Sequence, residues 1–460
     1  MKRTEKAMTG EREAGSARRA ASYSSSRFVT HVGWTFAARL FMLVNSVLAG
    51  IIVARRLGAE GLGALAVINI TVATTVQLGS AGLPSANTYL ISLDKRHLAA
   101  VAINSLIFVI IVGGLLAATL AWLAAWRPAW FGFVPPGLII IAALSIPFQL
   151  ITLIGLNIFL AAGHVERFNL LDLFGQSFVL INSVAALVLL DRGLRALVSL
   201  NAITSIAVAA LIAALVGAYA VKMKERKAWR PDAKLFWRAV RYGVKFHVSI
   251  LAGALIFRAD LLVVNHFRGE AEAGVYSVAS QIALMLMLLP GIIATLIFPR
   301  ISASQDVTGE MTCVITRHTA LLMLFVCAAA ASLSLLLPLV YGTAFADAGL
   351  QLLILLPGVY LIGLESVLVQ HLNAMGLPRT VPLFWLVTLA VNLALIFGLV
   401  PFLGARGAAI ASTASYALIF LLVAFYFRAV TGRSLYDALV IRKTELRSLS
   451  ALLIRRVTSQ

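Results

Sequence analysis

Twelve apolar runs, each about the 20 residues needed to cross a hydrocarbon core of about 30 Å as a helix, take up most of this chain. They fall at roughly 32–54, 62–91, 98–126, 137–163, 168–190, 196–221, 243–265, 274–298, 313–341, 348–375, 380–400 and 405–428. Inside lipid a backbone must satisfy its own polar groups, so runs of this length and number specify membrane-spanning helices. The fold class is all-α and polytopic. Composition agrees, with 61% hydrophobic and 12% charged residues, about half the charge of a soluble domain. Gly79, Gly82 and Pro84 interrupt the second run and predict a bend there.

Lys and Arg number 38 against 19 Asp and Glu. Such an excess would suggest nucleic acid as a partner, but its distribution points to membrane topology instead. With the N-terminus inside, 29 of the 38 basic residues flank the spans on the inner side and 7 on the outer side; Arg39 and Arg258 lie within spans. The positive-inside rule therefore places both termini in the cytoplasm. The first thirty residues carry seven basic side chains and no apolar core, which argues against a cleaved signal peptide. The predicted organisation is a basic cytoplasmic tail (1–30), a first lobe with six spans (31–221), a basic cytoplasmic linker (222–241), a second lobe with six spans (242–429) and a second basic tail (430–460). A shift of 211 places Val53, Gly58, Gly63 and Val67 on Val264, Gly269, Gly274 and Val278. Six spans per half make this a parallel repeat, with a pseudo-two-fold axis along the membrane normal and a cavity between the lobes.

No phosphate-binding GxxxxGK[ST], no GxGxxG and no HExxH is present. The outer loops are too short to form a catalytic domain, so an enzyme is not expected. Cys313 and Cys327 make no disulfide framework or zinc spacing, and the seven histidines include no ligand pair on one helix face; no metal or cofactor is implied.

A charge at the centre of a spanning helix costs about 2.5–3.5 kcal/mol, which makes ionisable residues in the spans functional candidates. Arg39 in span 1 either faces the cavity or snorkels to the inner headgroups. Arg258 and Asp260 in span 7 are two residues apart and so point to different sides of a helix; Arg258 is the cavity candidate, and Asp260 is either a coupling residue or structural. Glu365 in span 10 would pair with one of the arginines or bind a proton or sodium ion. Asn45, Gln77 and Asn87 add polar candidates for substrate contact, each with an interhelical hydrogen bond as the alternative. Two arginines against few acids suit an anionic substrate, and the arginine fork suits phosphate in particular.

The stretches ARLFMLVNSVLAGIIVARRLGAEGLGALAVI (38–68), RADLLVVNHFRGEAEAGVYSVASQIA (258–283), FPRIS (298–302) and VNLALIFGLVPFLGARGAAIASTASY, ending at Tyr416, resemble the polysaccharide transporter family. These are flippases for lipid-linked oligosaccharides, in the superfamily that also holds lipid II flippases and multidrug and toxic compound extrusion proteins. The resemblance implies a two-lobed bundle in a bacterial inner membrane. By alternating access it would move an undecaprenyl pyrophosphate-linked oligosaccharide outward for surface or exopolysaccharide assembly, with membrane lipids, a polysaccharide polymerase and glycosyltransferases as partners. It also implies that cavity cations hold the pyrophosphate, with Arg39 at the matching position, and that Asp260 occupies a recurrent acidic one. Tyr89 stands where relatives often carry a basic residue. A cation-coupled multidrug exporter of the same fold and a non-transporting scaffold of a polysaccharide assembly complex are the competing functions.

Overall fold

A computed structural model describes residues 2–222, 230–304, 306, 308–375 and 380–440, with side chains from Gly33 onward except at 222, 245, 246, 296, 298–300, 302–304 and 435. Most of the predicted linker's basic core (223–229) and the tail from 441 lie outside the described residues. The described residues are almost entirely helical: α1 (Lys2–Gly79), α2 (Leu83–Leu93), α3 (Lys95–Trp126), α4 (Pro136–Ala161), α5 (Val165–Leu189) and α6 (Gly193–Lys222). The second half holds α7 (Ala233–Ile256), α8 (Ala259–Arg268), α9 (Glu270–Leu286), α10 (Leu288–Ser304), α11 (Glu310–Ser334), α12 (Ala346–Ala374) and α13 (Thr380–Thr431). Residues 233–241, at the end of the predicted linker, are thus already helical.

Ten described stretches are long and apolar enough to cross a membrane. Two of them, at 47 and 52 residues, are too long for one crossing, and each contains one non-helical glycine. Gly58 divides α1 (φ 70°, ψ −169°) and Gly404 divides α13 (φ 58°, ψ −140°). Positive φ costs glycine little, so the chain turns sharply there without a loop, and each side of either break is long enough for one crossing. The bend predicted in span 2 is present. α1 stops at Gly79, Ala81 and Gly82 adopt positive φ, and α2 starts with Pro84 in its first turn, where the missing N–H costs nothing.

Gly269, between α8 and α9, has the same extended, positive-φ geometry as Gly58 (φ 89°, ψ 176°), as the shift of 211 requires. The next pair in the register explains why glycine stands there. A Cβ on Gly63 would sit 1.9 Å from the carbonyl oxygen of Glu270, and a Cβ on Gly274 would sit 1.9 Å from that of Ala59. Ala59 and Glu270 are themselves 211 apart, so the contact is reciprocal: two helices cross backbone to backbone at a pseudo-two-fold axis, which only residues without side chains allow. At this end of the molecule Gln281 also donates to Ser46 (2.8 Å), Arg55 to the carbonyls of Leu339 and Val340, and Asn265 to that of Phe131 (2.9 Å).

The halves meet again at the opposite end. Gly82 and Gly243 lie backbone to backbone, a Cβ on either coming within 2.3–2.7 Å of the other's carbonyl oxygen. Tyr89 stacks on Tyr242 with centroids 4.2 Å apart and planes 5° apart. Asn104 donates to the carbonyl of Asp232 (2.8 Å) and accepts from its N–H (3.1 Å). In this conformation both ends are therefore bridged.

Candidate functional site

α1 and α5 are joined by a ladder of polar contacts at helical spacing. Asn169 donates to Thr35 (2.8 Å), Arg39 pairs with Asp172 (3.2 Å), and Asn45 donates to the carbonyl of Gln176 (2.8 Å). The numbers rise together on both helices, so the two run parallel, as spans 1 and 5 must. Asp172, Gln176, Asn182, Asn201, Asn69 and Gln149 line a cavity of about 410 Å³ inside the first half. Arg39 is 41% exposed and Asp172 15%.

This geometry corrects the picture of two arginines against few acids, because Arg39 has a counter-charge. The signal for Asp172 in the sequence is its spacing: Asn169, Asp172 and Gln176 follow the i, i+3, i+7 pattern of one helix face, which the charge of Asp172 alone does not reveal. Arg39→Ala leaves a largely buried carboxylate without its partner, a loss on the order of 1–3 kcal/mol. The expected result is a lower melting temperature for Arg39→Ala in detergent and its recovery when Asp172→Asn is added, read by fluorescence-detected size exclusion. Additive losses would show that the pair carries no coupling.

Span 7 is not one helix. It breaks at Phe257 and Arg258, and Arg258 (φ −137°, ψ −22°) is the N-cap of α8. The expectation that Arg258 and Asp260 point to different sides of a continuous helix is thereby replaced: they occupy a helix start, with Asp260 in the first turn. There a carboxylate favours the helix dipole. Asp260 accepts from Leu261 N–H (2.8 Å), from Ser412 Oγ (3.0 Å) and from Tyr276 OH. It is 2% exposed and ties α8, α9 and α13 together. Neither Tyr276 nor Ser412 carries a sequence signal for this role. Arg258 is half-buried; its backbone N–H donates to the carbonyl of Leu255 (3.1 Å), and its guanidinium makes no hydrogen bond or ion pair with any described residue. At the N-terminus of a helix its charge also gains nothing from the dipole.

Glu365, 2% exposed in α12, forms no ion pair among the described residues, so the expected partnership with Arg39 or Arg258 is not made here. Its Oε1 has no described hydrogen-bond partner. Asn45 and Asn87 are buried and engaged in interhelical hydrogen bonds, Asn87 to Ser105 Oγ at 2.9 Å. Gln77 is half-buried beside the break that starts α2. The structure therefore does not gather the predicted residues at one point. Arg39 and Asn45 belong to the α1–α5 seam, Asn87 to the contact of α2 with α3, and Arg258, Asp260 and Glu365 to the second half. The free cysteines Cys313 and Cys327 are buried.

Bridged halves, a reciprocal glycine crossing and charged groups within the spans define a multi-pass membrane protein built like a transporter. Solved structures show the same fold. The lipid II flippase MurJ in an inward closed conformation superposes with TM-score 0.71 at 16% identity, covering 94% of this chain and 93% of that one. A multidrug resistance MATE family transporter of the MOP superfamily, inward-facing, gives 0.64 at 16% identity over 87% and 99%. Residues 52–349 match the family described as polysaccharide biosynthesis protein, and the chain belongs to that family. It is similar to the probable low-salt glycan biosynthesis flippase Agl15 of Haloferax volcanii, 25% identical over 201 residues and 42% of each chain. It is also similar to the amylovoran biosynthesis protein AmsL of Erwinia amylovora, 27% identical over 143 residues, or 30% of this chain and 37% of that one. The chain spans less than half the length of these curated relatives.

Proposed function

We propose that the chain is a flippase that carries an undecaprenyl pyrophosphate-linked oligosaccharide from the cytoplasmic to the outer leaflet of a bacterial inner membrane. Family membership and the names of the similar proteins support a saccharide-lipid substrate. The observation that carries the pyrophosphate is Arg258: a half-buried guanidinium inside a span, with no described partner, offers its fork to an anion. Arg39, already paired with Asp172, would assist only by exchanging a carboxylate for a phosphate. A cation-coupled exporter would need a carboxylate free for its cation; Asp172 is already paired with Arg39, and Glu365, which is not ion-paired among the described residues, is the one that Glu365→Gln tests. A scaffold that transports nothing would tolerate loss of Arg258.

In this reading two six-helix lobes, 31–221 and 242–429, are joined by the 222–241 linker. Both termini and the Gly82 end face the cytoplasm. Entry requires separating Gly82 from Gly243, Tyr89 from Tyr242 and Asn104 from Asp232; release requires separating Gly63 from Gly274 and Ser46 from Gln281. The polyprenyl tail stays in lipid. An anion moving outward across an inside-negative membrane is driven by about 2.3 kcal/mol per charge per 100 mV, so no coupling ion is needed. The test is complementation of surface polysaccharide in a strain lacking its own flippase. The wild-type chain should restore it, and Glu365→Gln should restore it as well, because the carboxyl has no ion partner to lose. No restoration by correctly inserted wild-type protein would contradict the function, and failure of Glu365→Gln alone would point to ion coupling.

A further inference from the structure

At the Gly63 end the second half, together with Ala59 of the first, lines a pocket of about 580 Å³, within the range that holds a drug-sized ligand. Its walls are fixed by ion pairs between helix ends. Glu272 Oε2 accepts from Arg268 (2.9 Å), while its Oε1 accepts from the N–H of Ala405 (2.7 Å). That second contact is close because Gly404, at positive φ, has no Cβ; one added there would sit 1.9 Å from Oε1. Arg406 pairs with Asp347 (3.2 Å). Two cations face two acids, so the pocket has no excess charge with which to hold a phosphate.

Two features ask for a ligand of a different kind. Gln351, one turn into α12 from Asp347, lines the pocket at 3% exposure and has an Oε1 with no hydrogen-bond partner among the described residues. An unsatisfied buried amide costs about 1–3 kcal/mol. It offers both a donor and an acceptor, as a hydroxyl group does, whereas a fully ionised phosphate only accepts. Phe402 lines the same pocket and is 84% exposed, an apolar plane beside planar polar groups.

We propose that this pocket is a saccharide subsite that receives the glycan at the outer face. A sugar fits on chemical grounds: its C–H face lies on the Phe402 ring, and its hydroxyls exchange hydrogen bonds with Gln351 and the exposed edges of the Arg406–Asp347 pair. The flippase reading supplies only the expectation that a glycan reaches this end, and the outer orientation comes from the basic-residue asymmetry.

Binding can be read without transport. Ala344→Cys places a reporter on the pocket wall of the full-length chain in right-side-out vesicles, where the native cysteines are buried. The probe is the free oligosaccharide released by mild acid from the host's own polyprenyl-linked pool, and the reporter is labelled with an impermeant maleimide. The expected result is labelling slowed about tenfold, since a pocket-bound ligand is largely enclosed. That protection should be lost in Gln351→Leu, and weakened in Arg406→Ala, an exposed change, should the first variant fail to fold. Inorganic pyrophosphate should not protect. No protection by the oligosaccharide, undiminished protection in both folded variants, or equal protection by pyrophosphate would overturn the proposal. Failed complementation with intact protection would instead reject the flippase reading alone.

Discussion

Arg258→Ala is expected to lower export of surface polysaccharide at least about tenfold, because a charge-assisted hydrogen bond contributes about 1.5–3 kcal/mol. Arg258→Lys should retain part of it, keeping the charge and losing the fork. Protein abundance separates this from a folding defect. The Arg258 guanidinium has no described partner, and placing a charge within a span costs about 2.5–3.5 kcal/mol, so the Ala variant should insert at wild-type level or better. Arg39→Ala, by contrast, breaks a pair and should lose stability together with activity. Quantitative immunoblotting of membranes beside polysaccharide measurement distinguishes the two patterns. Full export by Arg258→Ala would remove the anion-binding role assigned to this residue.

Gly63→Ala and Gly274→Ala should each disable the protein, and to a similar extent. The new Cβ would stand 1.9 Å from a backbone carbonyl oxygen in either case, and backbone cannot move aside as a flexible side chain can. Overpacking of this kind costs about 1–3 kcal/mol, borne here by the contact that joins the two halves. Export should fall sharply while the Gly82 end stays free to open. Because both substitutions push apart one crossing, the double variant should be little worse than either single one, a departure from additivity. Unequal single effects, or losses that simply add, would contradict the reciprocal crossing.

The sequence carried the fold further than it carried the site, for physical reasons visible in single residues. Span length and apolarity marked the membrane segments, and the bend at Gly79–Pro84 followed from backbone chemistry. The register of 211 rested on four matches, two of them glycines, and those glycines proved to be the turns and the crossing themselves. Hydropathy cannot see the break at Phe257–Arg258, where neither glycine nor proline marks the end of α7. Nor could it show that Arg39 meets Asp172, since the partners are 133 residues apart and meet only because α1 and α5 lie side by side. The contacts of Asp260 with Tyr276 and Ser412 likewise depend on how three helices pack.

The most direct measurement of the central claim is flipping by the purified full-length chain in proteoliposomes. The substrate would be a polyprenyl pyrophosphate-linked oligosaccharide with a reducible fluorophore on its glycan, exposed to a membrane-impermeant reductant. With the wild-type chain, reduction is expected to run past the outer-leaflet pool and consume the inner-leaflet pool too, while with Arg258→Ala loss of the inner pool should be slowed at least about tenfold. Wild-type protein that is shown to be inserted and yet leaves the inner pool untouched, or Arg258→Ala flipping at the wild-type rate, would contradict it.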